Sequence, residues 1–192
     1  MRNYSQQLLL FLISAVCFSC TNKELTRKEL LSYVQNEDHG LKKVIDGKDG
    51  FKIEAYVLKK ELLLNYVNRK KSSFDGDSLS YFMLSFSNKG REALGQTVDF
   101  DRYAQLVSNL SFNAKQYCVL TSRGDTADLV NSYFMNTYGT GASNNLLIVF
   151  KKMEKYSDLE LIVSEIGFGE GDKKFLFKKR DIERFNSIKV TD

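Results

Sequence analysis

Proline and tryptophan are absent from this chain, and histidine occurs once. An ordinary chain of this length would hold roughly ten prolines, so stiff polyproline segments and Pro-rich linkers are excluded. One histidine cannot build a His-rich metal site. Any Ser-His-Asp or Cys-His nucleophile would have to use His39, which falls in the polar turn Asn36-Glu37-Asp38-His39-Gly40 and is read as an exposed surface residue. The nucleophile-elbow motif G-x-S-x-G does not occur. No apolar run reaches the ~20 residues that cross a bilayer. Charge is mild, 28 basic against 24 acidic residues, which argues against nucleic acid as a partner.

What is present begins at the N-terminus. Arg2 precedes the apolar run Leu8-Leu9-Leu10-Phe11-Leu12-Ile13-Ser14-Ala15-Val16-Cys17-Phe18, and Ser19 stands directly before Cys20. A basic start, a short apolar stretch and a small residue at the cut form a signal peptide, here residues 1–19. A cysteine at the cut resembles the lipobox of bacterial lipoproteins, in which that cysteine is acylated and opens the mature chain. The match departs at Cys17 and Phe18, where a lipobox carries Leu and a small residue. The other reading is an ordinary secretory peptide cut near Cys17, leaving Cys20 as a free thiol. One acyl chain binds membranes marginally, and durable anchoring takes two or more. Residues 20–25 then form the lipidated end and a short tether, and residues 26–192 a single globular domain. Only Cys118 remains within that domain, so no internal disulfide is available. It is expected on a strand face shared with Phe112, Ala114 and Leu120, as a buried inert thiol.

Along the domain, Thr26-Arg27-Lys28-Glu29 is a capping box with Leu25 and Leu30 at the staple positions, which predicts a helix over Arg27–Gln35. Leu41 to Asp46 and Phe51 to Leu58 flank the turn Gly47-Lys48-Asp49-Gly50 as a hairpin. Helical spacing is expected from Lys59 to Arg69, a polar loop from Lys70 to Ser78, and a strand from Leu79 to Ser87. Asp99 caps a second helix, with Phe100, Tyr103, Leu106, Val107 and Leu110 as its stripe. Five strands follow: Ser111 to Thr121, Thr126 to Tyr138, Leu146 to Lys151, Leu159 to Ile166 and Lys174 to Phe177. Links this short force antiparallel pairing. The expected fold is α+β, a mainly antiparallel sheet with two or three helices packed on one face.

Several constellations could carry function. Gly167-Phe168-Gly169-Glu170-Gly171-Asp172 looks like a phosphate loop, but it lies between strands rather than before a helix, so a bulged turn is the better reading. Asp75-Gly76-Asp77 lacks the spacing of a calcium loop, and Arg123-Gly124-Asp125 is read as a polar turn. Asp125, Asp128, Glu165 and Glu170 are the acids that could pair for hydrolysis, if they face one another across a cleft. Scattered basic clusters, among them Lys42-Lys43 and Lys178-Lys179-Arg180, would suit anionic lipid or glycan. Tyr56, Tyr81, Tyr117 and Tyr133 (or Phe134) sit opposite apolar-face neighbours on their strands. They form either a binding surface or a second packed layer of core. No cofactor or metal is expected.

Gly40-Leu41-Lys42-Lys43, Tyr81 to Phe86, Leu110-Ser111-Phe112, Asp125-Thr126, Thr137-Tyr138-Gly139, and Phe168 to Gly171 with Phe175-Leu176-Phe177 together resemble small lipoproteins of Bacteroidota. That resemblance implies an envelope lipoprotein at the outer membrane and brings no catalytic residues with it. The mixed charge of Thr21-Asn22-Lys23-Glu24 leaves both the periplasmic and the surface face open. The expected function is a membrane-anchored, non-enzymatic binding or assembly subunit, with another envelope protein as partner. The alternatives are a glycan or peptide hydrolase using paired carboxylates, and an inhibitor or immunity-type protein. If Cys20 is the anchor, Cys20→Ala moves the protein from the membrane to the soluble fraction. Unchanged membrane association of that variant on fractionation places the anchor elsewhere.

Overall fold

The computed structural model describes residues 23–63 and 78–191. Twelve strands and four α-helices follow in the order β1 Glu24–Thr26, α1 Arg27–Gln35, β2 Lys42–Asp46, β3 Phe51–Leu58, β4 Leu79–Asn88, β5 Arg91–Glu92, α2 Phe100–Phe112, α3 Ala114–Tyr117, β6 Cys118–Ser122, β7 Asp125–Ala127, β8 Leu129–Met135, β9 Asn144–Lys151, β10 Leu159–Val163, β11 Lys173–Phe177, α4 Lys179–Ser187 and β12 Lys189–Thr191. The class is α+β with mainly antiparallel pairing.

The strands divide between two sheets rather than one. The larger runs β2-β3-β4-β9-β8 with β5 paired to β4, the smaller β11-β10-β6-β7, and a parallel ribbon joins β1 to β12. The predicted strand from Thr126 to Tyr138 is broken at Asp128, where the chain leaves the smaller sheet and enters the larger. There the Asp128 carbonyl accepts the N–H of Lys151 at 2.8 Å. Local pattern sees an extended run on both sides of that corner and cannot see the change of partner.

The sheets face each other through aromatic rings. Phe82 of β4 lies 6.0 Å from Phe150 of β9 and 5.6 Å from Phe177 of β11 between ring centroids, and all three are buried. Phe168, from the loop before β11, lies 5.2 Å from Phe51 and 5.3 Å from Phe86. The helices are built as their caps predict. Thr26 Oγ1 accepts the N–H of Glu29 at 3.3 Å while the Thr26 N–H donates to Glu29 Oε2 at 2.8 Å, and Asp99 accepts the N–H of Arg102 at 2.9 Å. The two-residue turn Arg123-Gly124 joins β6 to β7 with both φ angles positive, 53° and 89°. That is the geometry of a tight hairpin matched to strand twist.

Three local expectations change. Residues predicted to open a strand at Ser111 continue α2 to Phe112 and then form α3, so only Cys118 and Leu120 of the predicted set share a strand. Phe112 and Ala114 alternate with Cys118 by parity alone; Ala114 is buried and Phe112 is 83% exposed. Glu24 and Leu25, assigned to the tether, pair with Lys189 and Val190, so the fold begins earlier than the capping box. The helix α4 carries Ile182 and Phe185 as its buried residues, too sparse a stripe to stand out among Lys178, Lys179, Arg180 and Arg184. Of the helix expected over Lys59–Arg69, the described part is a 3-10 turn at Lys60–Leu63. Its remainder, the Lys70–Ser78 loop up to residue 77, Asp75-Gly76-Asp77, the signal peptide and Cys20 lie outside the described residues. Burial pushes the Cys118 thiol up to about 12, which leaves it protonated and inert.

Truncation of the ring shared by both sheets, Phe82→Ala, costs about 3–5 kcal/mol of stability through lost burial and a residual cavity. The exposed ring of Phe112 is a contrast: Phe112→Ala shifts the urea midpoint by the equivalent of less than about 0.5 kcal/mol.

Candidate functional site

The face of the larger sheet turned away from the smaller one is a ladder of three rungs. Cross-strand register places Leu58, Tyr81, Val149 and Asn131 on the first, Tyr56, Met83, Leu147 and Tyr133 on the second, and Glu54, Ser85, Asn145 and Met135 on the third. Strand alternation puts these side chains on one face. Three of the four predicted tyrosines therefore share a surface. Tyr81 is buried there with Leu63, Leu147 and Val149, so it belongs to a second packed layer. Tyr56 is half-buried and Tyr133 half-exposed. Tyr117 is separate: it ends α3 and packs against the main core, since the strand expected to carry it begins one residue later.

Over this face a groove of about 610 Å3 opens, walled by α1 (Arg27, Lys28, Leu31, Val34, Gln35) and by the turn at Leu62 and Leu63. Its floor is Leu58, Met83 and Met135, and its polar end is Glu54, Tyr56, Ser85, Ser143 and Asn145. The polar groups hold one another. Ser85 Oγ donates to Asn145 Oδ1 at 2.5 Å and Ser143 Oγ to the same oxygen at 3.2 Å. The Tyr56 hydroxyl donates to Glu54 Oε2 at 2.7 Å, and Lys42 pairs with Glu54 Oε1 at 3.1 Å and with Glu37 at 3.5 Å. Burial, then the hydrogen bond and charge of Glu54, hold the Tyr56 phenol well above its usual value. Burial works against the Lys42 charge, but its bonds to Glu54 and Glu37 outweigh it and raise its pKa. Ser85 faces an amide oxygen, which cannot take its proton as a catalytic base would.

Two of the four acids named for hydrolysis, Glu165 and Glu170, are engaged elsewhere, and Asp125 and Asp128 line one open pocket. Glu165 Oε1 accepts the N–H of Gly167 at 2.7 Å and of Gly169 at 2.9 Å, and Oε2 accepts that of Gly171. The glycine loop is thus an anion nest whose anion is the chain's own carboxylate, and Gly167 and Gly169, with φ of 129° and 82°, supply its backbone shape. Glu170 accepts the N–H of Lys48 across the β2–β3 turn at 3.1 Å and pairs with Lys173 at 3.8 Å. Asp125 sits at the start of β7 and Asp128 at the corner between sheets, both exposed.

One residue departs from the sequence reading, His39, and one carried no reading, Glu92. His39 is half-buried, stacked on Tyr33 with ring centroids 3.5 Å apart, and its Nδ1 donates to the Tyr33 carbonyl at 2.8 Å. Glu92 is 2% exposed. Its carboxylate accepts the N–H groups of Gly139 and Gly141 at 2.8 Å each, Asn144 Nδ2 at 3.1 Å, and the Thr137 hydroxyl. Asn144 Oδ1 in turn accepts the Leu94 N–H at 2.9 Å. A Cβ at Gly141 would lie 2.8 Å from Glu92 Oε1, so only glycine brings the backbone this close. The pair Gly139 and Gly141 was the only sequence trace of this knot. Among the described residues, no group of three or more His, Cys, Asp or Glu is placed to hold a metal ion.

No family model matches the chain, and no curated protein matches it. Among solved structures, a DUF4426 family protein from Pseudomonas aeruginosa PAO1 is similar at a TM-score of 0.33 and 14% identity, over 72% of this chain and 93% of that one.

Burial raises the pKa of Glu165, but the bonds from Gly169, Gly167 and Gly171 together outweigh it and hold the carboxyl below its ordinary 4.5. A carboxylate depressed in the folded state stabilises above its unfolded pKa and loses that contribution as pH falls through the folded one. Glu165→Gln puts an NH2 against backbone donors and costs about 1–3 kcal/mol at pH 7. In urea titrations the gap between wild type and variant is constant from neutral pH down to about 5 and closes below it. A gap independent of pH would remove the ionised carboxylate from the account.

Proposed function

We propose that this chain is a lipid-anchored envelope protein whose domain is a non-enzymatic binding module, with the groove between α1 and the larger sheet as its site. The observation that carries this reading is the state of the groove: an apolar floor beside a polar end where Tyr56 bonds Glu54 and both Ser85 and Ser143 bond Asn145. Such a surface holds a partner by shape and desolvation, with a few polar groups fixing orientation, and its volume lies in the range of ligand sites. Met83 and Met135 give the floor adaptability, since unbranched thioethers repack at little cost. The groove wall α1 follows β1 directly, so anchoring at Cys20 would hold the groove close to the bilayer.

The hydrolase reading has less support, because Glu165 accepts the N–H groups of its own loop, Glu170 is held by the Lys48 N–H and by Lys173, and Glu54 is paired with Lys42. The inhibitor reading draws on one specific observation. Tyr138, 83% exposed and with φ of 53°, projects from a loop that Glu92 holds rigid.

The test is crosslinking of the full-length chain in intact envelopes, comparing wild type with Ser85→Trp, which fills the polar end of the groove. A partner bound in the groove is captured about tenfold less by the variant, a loss of about 1.4 kcal/mol. Equal capture moves the site away from the groove. Capture by Ser85→Trp retained but lost in Tyr138→Ala favours the loop and the inhibitor reading.

A further inference from the structure

We propose that the groove between α1 and the larger sheet takes a single-chain anionic amphiphile, an aliphatic tail ending in a carboxylate, with its head beside Arg27 and Lys28. This deepens the reading of the groove as the binding site and rests on it. The lining selects the tail. Leu31 of α1, 46% exposed, lines the groove together with Leu58, Leu62, Met83 and Met135. Among the described lining residues Tyr56 alone is aromatic, and its hydroxyl is tied to Glu54 at 2.7 Å. A flat ring is held by stacking on aromatic faces, whereas leucines and unbranched thioethers pack around a flexible saturated chain. Each methylene taken from water by such a floor tightens binding about fourfold.

Ion pairs orient the groove. Glu37 lies just past the end of α1 and pairs with Lys42 at 3.5 Å, and Lys42 pairs with Glu54 at 3.1 Å. The C-terminal end of α1 therefore stands by the polar end of the floor. Arg27 and Lys28 open the helix at its other end, roughly 12 Å away along nine residues of α-helix.

Charge selects the head and its place. The lining holds two acids, Glu54 and Glu61, and two cations, Arg27 and Lys28. Glu54 is matched by Lys42, which leaves Glu61 of the facing turn as one negative charge against two positive ones. An anionic head at the polar end would meet Glu54 as a like charge. Beside Arg27 and Lys28 it meets opposite charge, and the tail then runs over the methionines toward Ser85 and Asn145.

The test is photolabelling of the full-length chain in intact envelopes with dodecanoate carrying a diazirine on its tail, the adducts being mapped by mass spectrometry. Labels are expected on the peptides of Leu31, Met83 and Met135. Lys28→Glu lowers that labelling about fivefold or more, and Lys28→Arg keeps it within about twofold. An acid in the first turn suits the helix, so Lys28→Glu stays folded, as its resistance to protease reports. Leu31→Asp lowers labelling about tenfold. Labels outside the groove, labels indifferent to Lys28→Glu, or equal labelling by a probe with the same tail and a trimethylammonium head each overturn the proposal. A protein captured in the groove by wild type and lost in Ser85→Trp, with no dodecanoate label there, overturns the amphiphile and keeps the groove as the site. Absence of both overturns the two readings together.

Discussion

Strand β9 is covered on both faces, and the rest of the molecule is arranged around that constraint. Its run Leu146-Leu147-Ile148-Val149-Phe150 is buried without a break. Strand alternation sends Leu146, Ile148 and Phe150 to one side and Leu147 and Val149 to the other, so a layer is needed on each. The smaller sheet supplies the first, through Phe177 and Leu161. On the second side Leu63, Tyr81, Leu58 and Met135 gather around Leu147 and Val149. That second layer covers part of the sheet, and the groove is the part of the outer face flanked by α1.

Carboxylates do the ordering work in the loops. Glu92 and Glu165 each gather several donors, among them N–H groups of a glycine-bearing turn, and each is held below its ordinary pKa although burial opposes it. An ionised acceptor makes stronger hydrogen bonds than a neutral one, and a glycine lets the backbone come near enough to make several at once. Two sequence features that resemble ligand chemistry, a glycine-rich loop and a cluster of acids, thereby satisfy each other inside the protein. In the groove, by contrast, side chains rather than backbone amides present the polar groups, and two methionines line an otherwise aliphatic floor.

Local signals were legible where the physics is local. The capping box at Thr26, the cap at Asp99, the alternation of Phe51 to Leu58 and of Tyr81 to Phe86, and the burial of Cys118 all depend on neighbours within a few residues. The clustering of Tyr56, Tyr81 and Tyr133 on one face was partly legible, since period-two alternation identifies the face once the register is known. Tyr117 failed because helix and strand periodicities coincide over so short a run. Glu92 and Asn144 gave no signal, as their meaning lies in partners that are 47 to 52 residues apart in sequence.

By itself the sequence determined the α+β class and the antiparallel hairpins, because apolar period, turn chemistry and caps act over a few residues. Tertiary structure alone decided that the strands form two sheets, that Asp128 is the corner between them, and that Glu165 fills the glycine loop. It also decided that α1 lies beside the outer face and makes a groove. Each of these depends on which distant segments meet, and that choice is set by burying β9 on both sides at once.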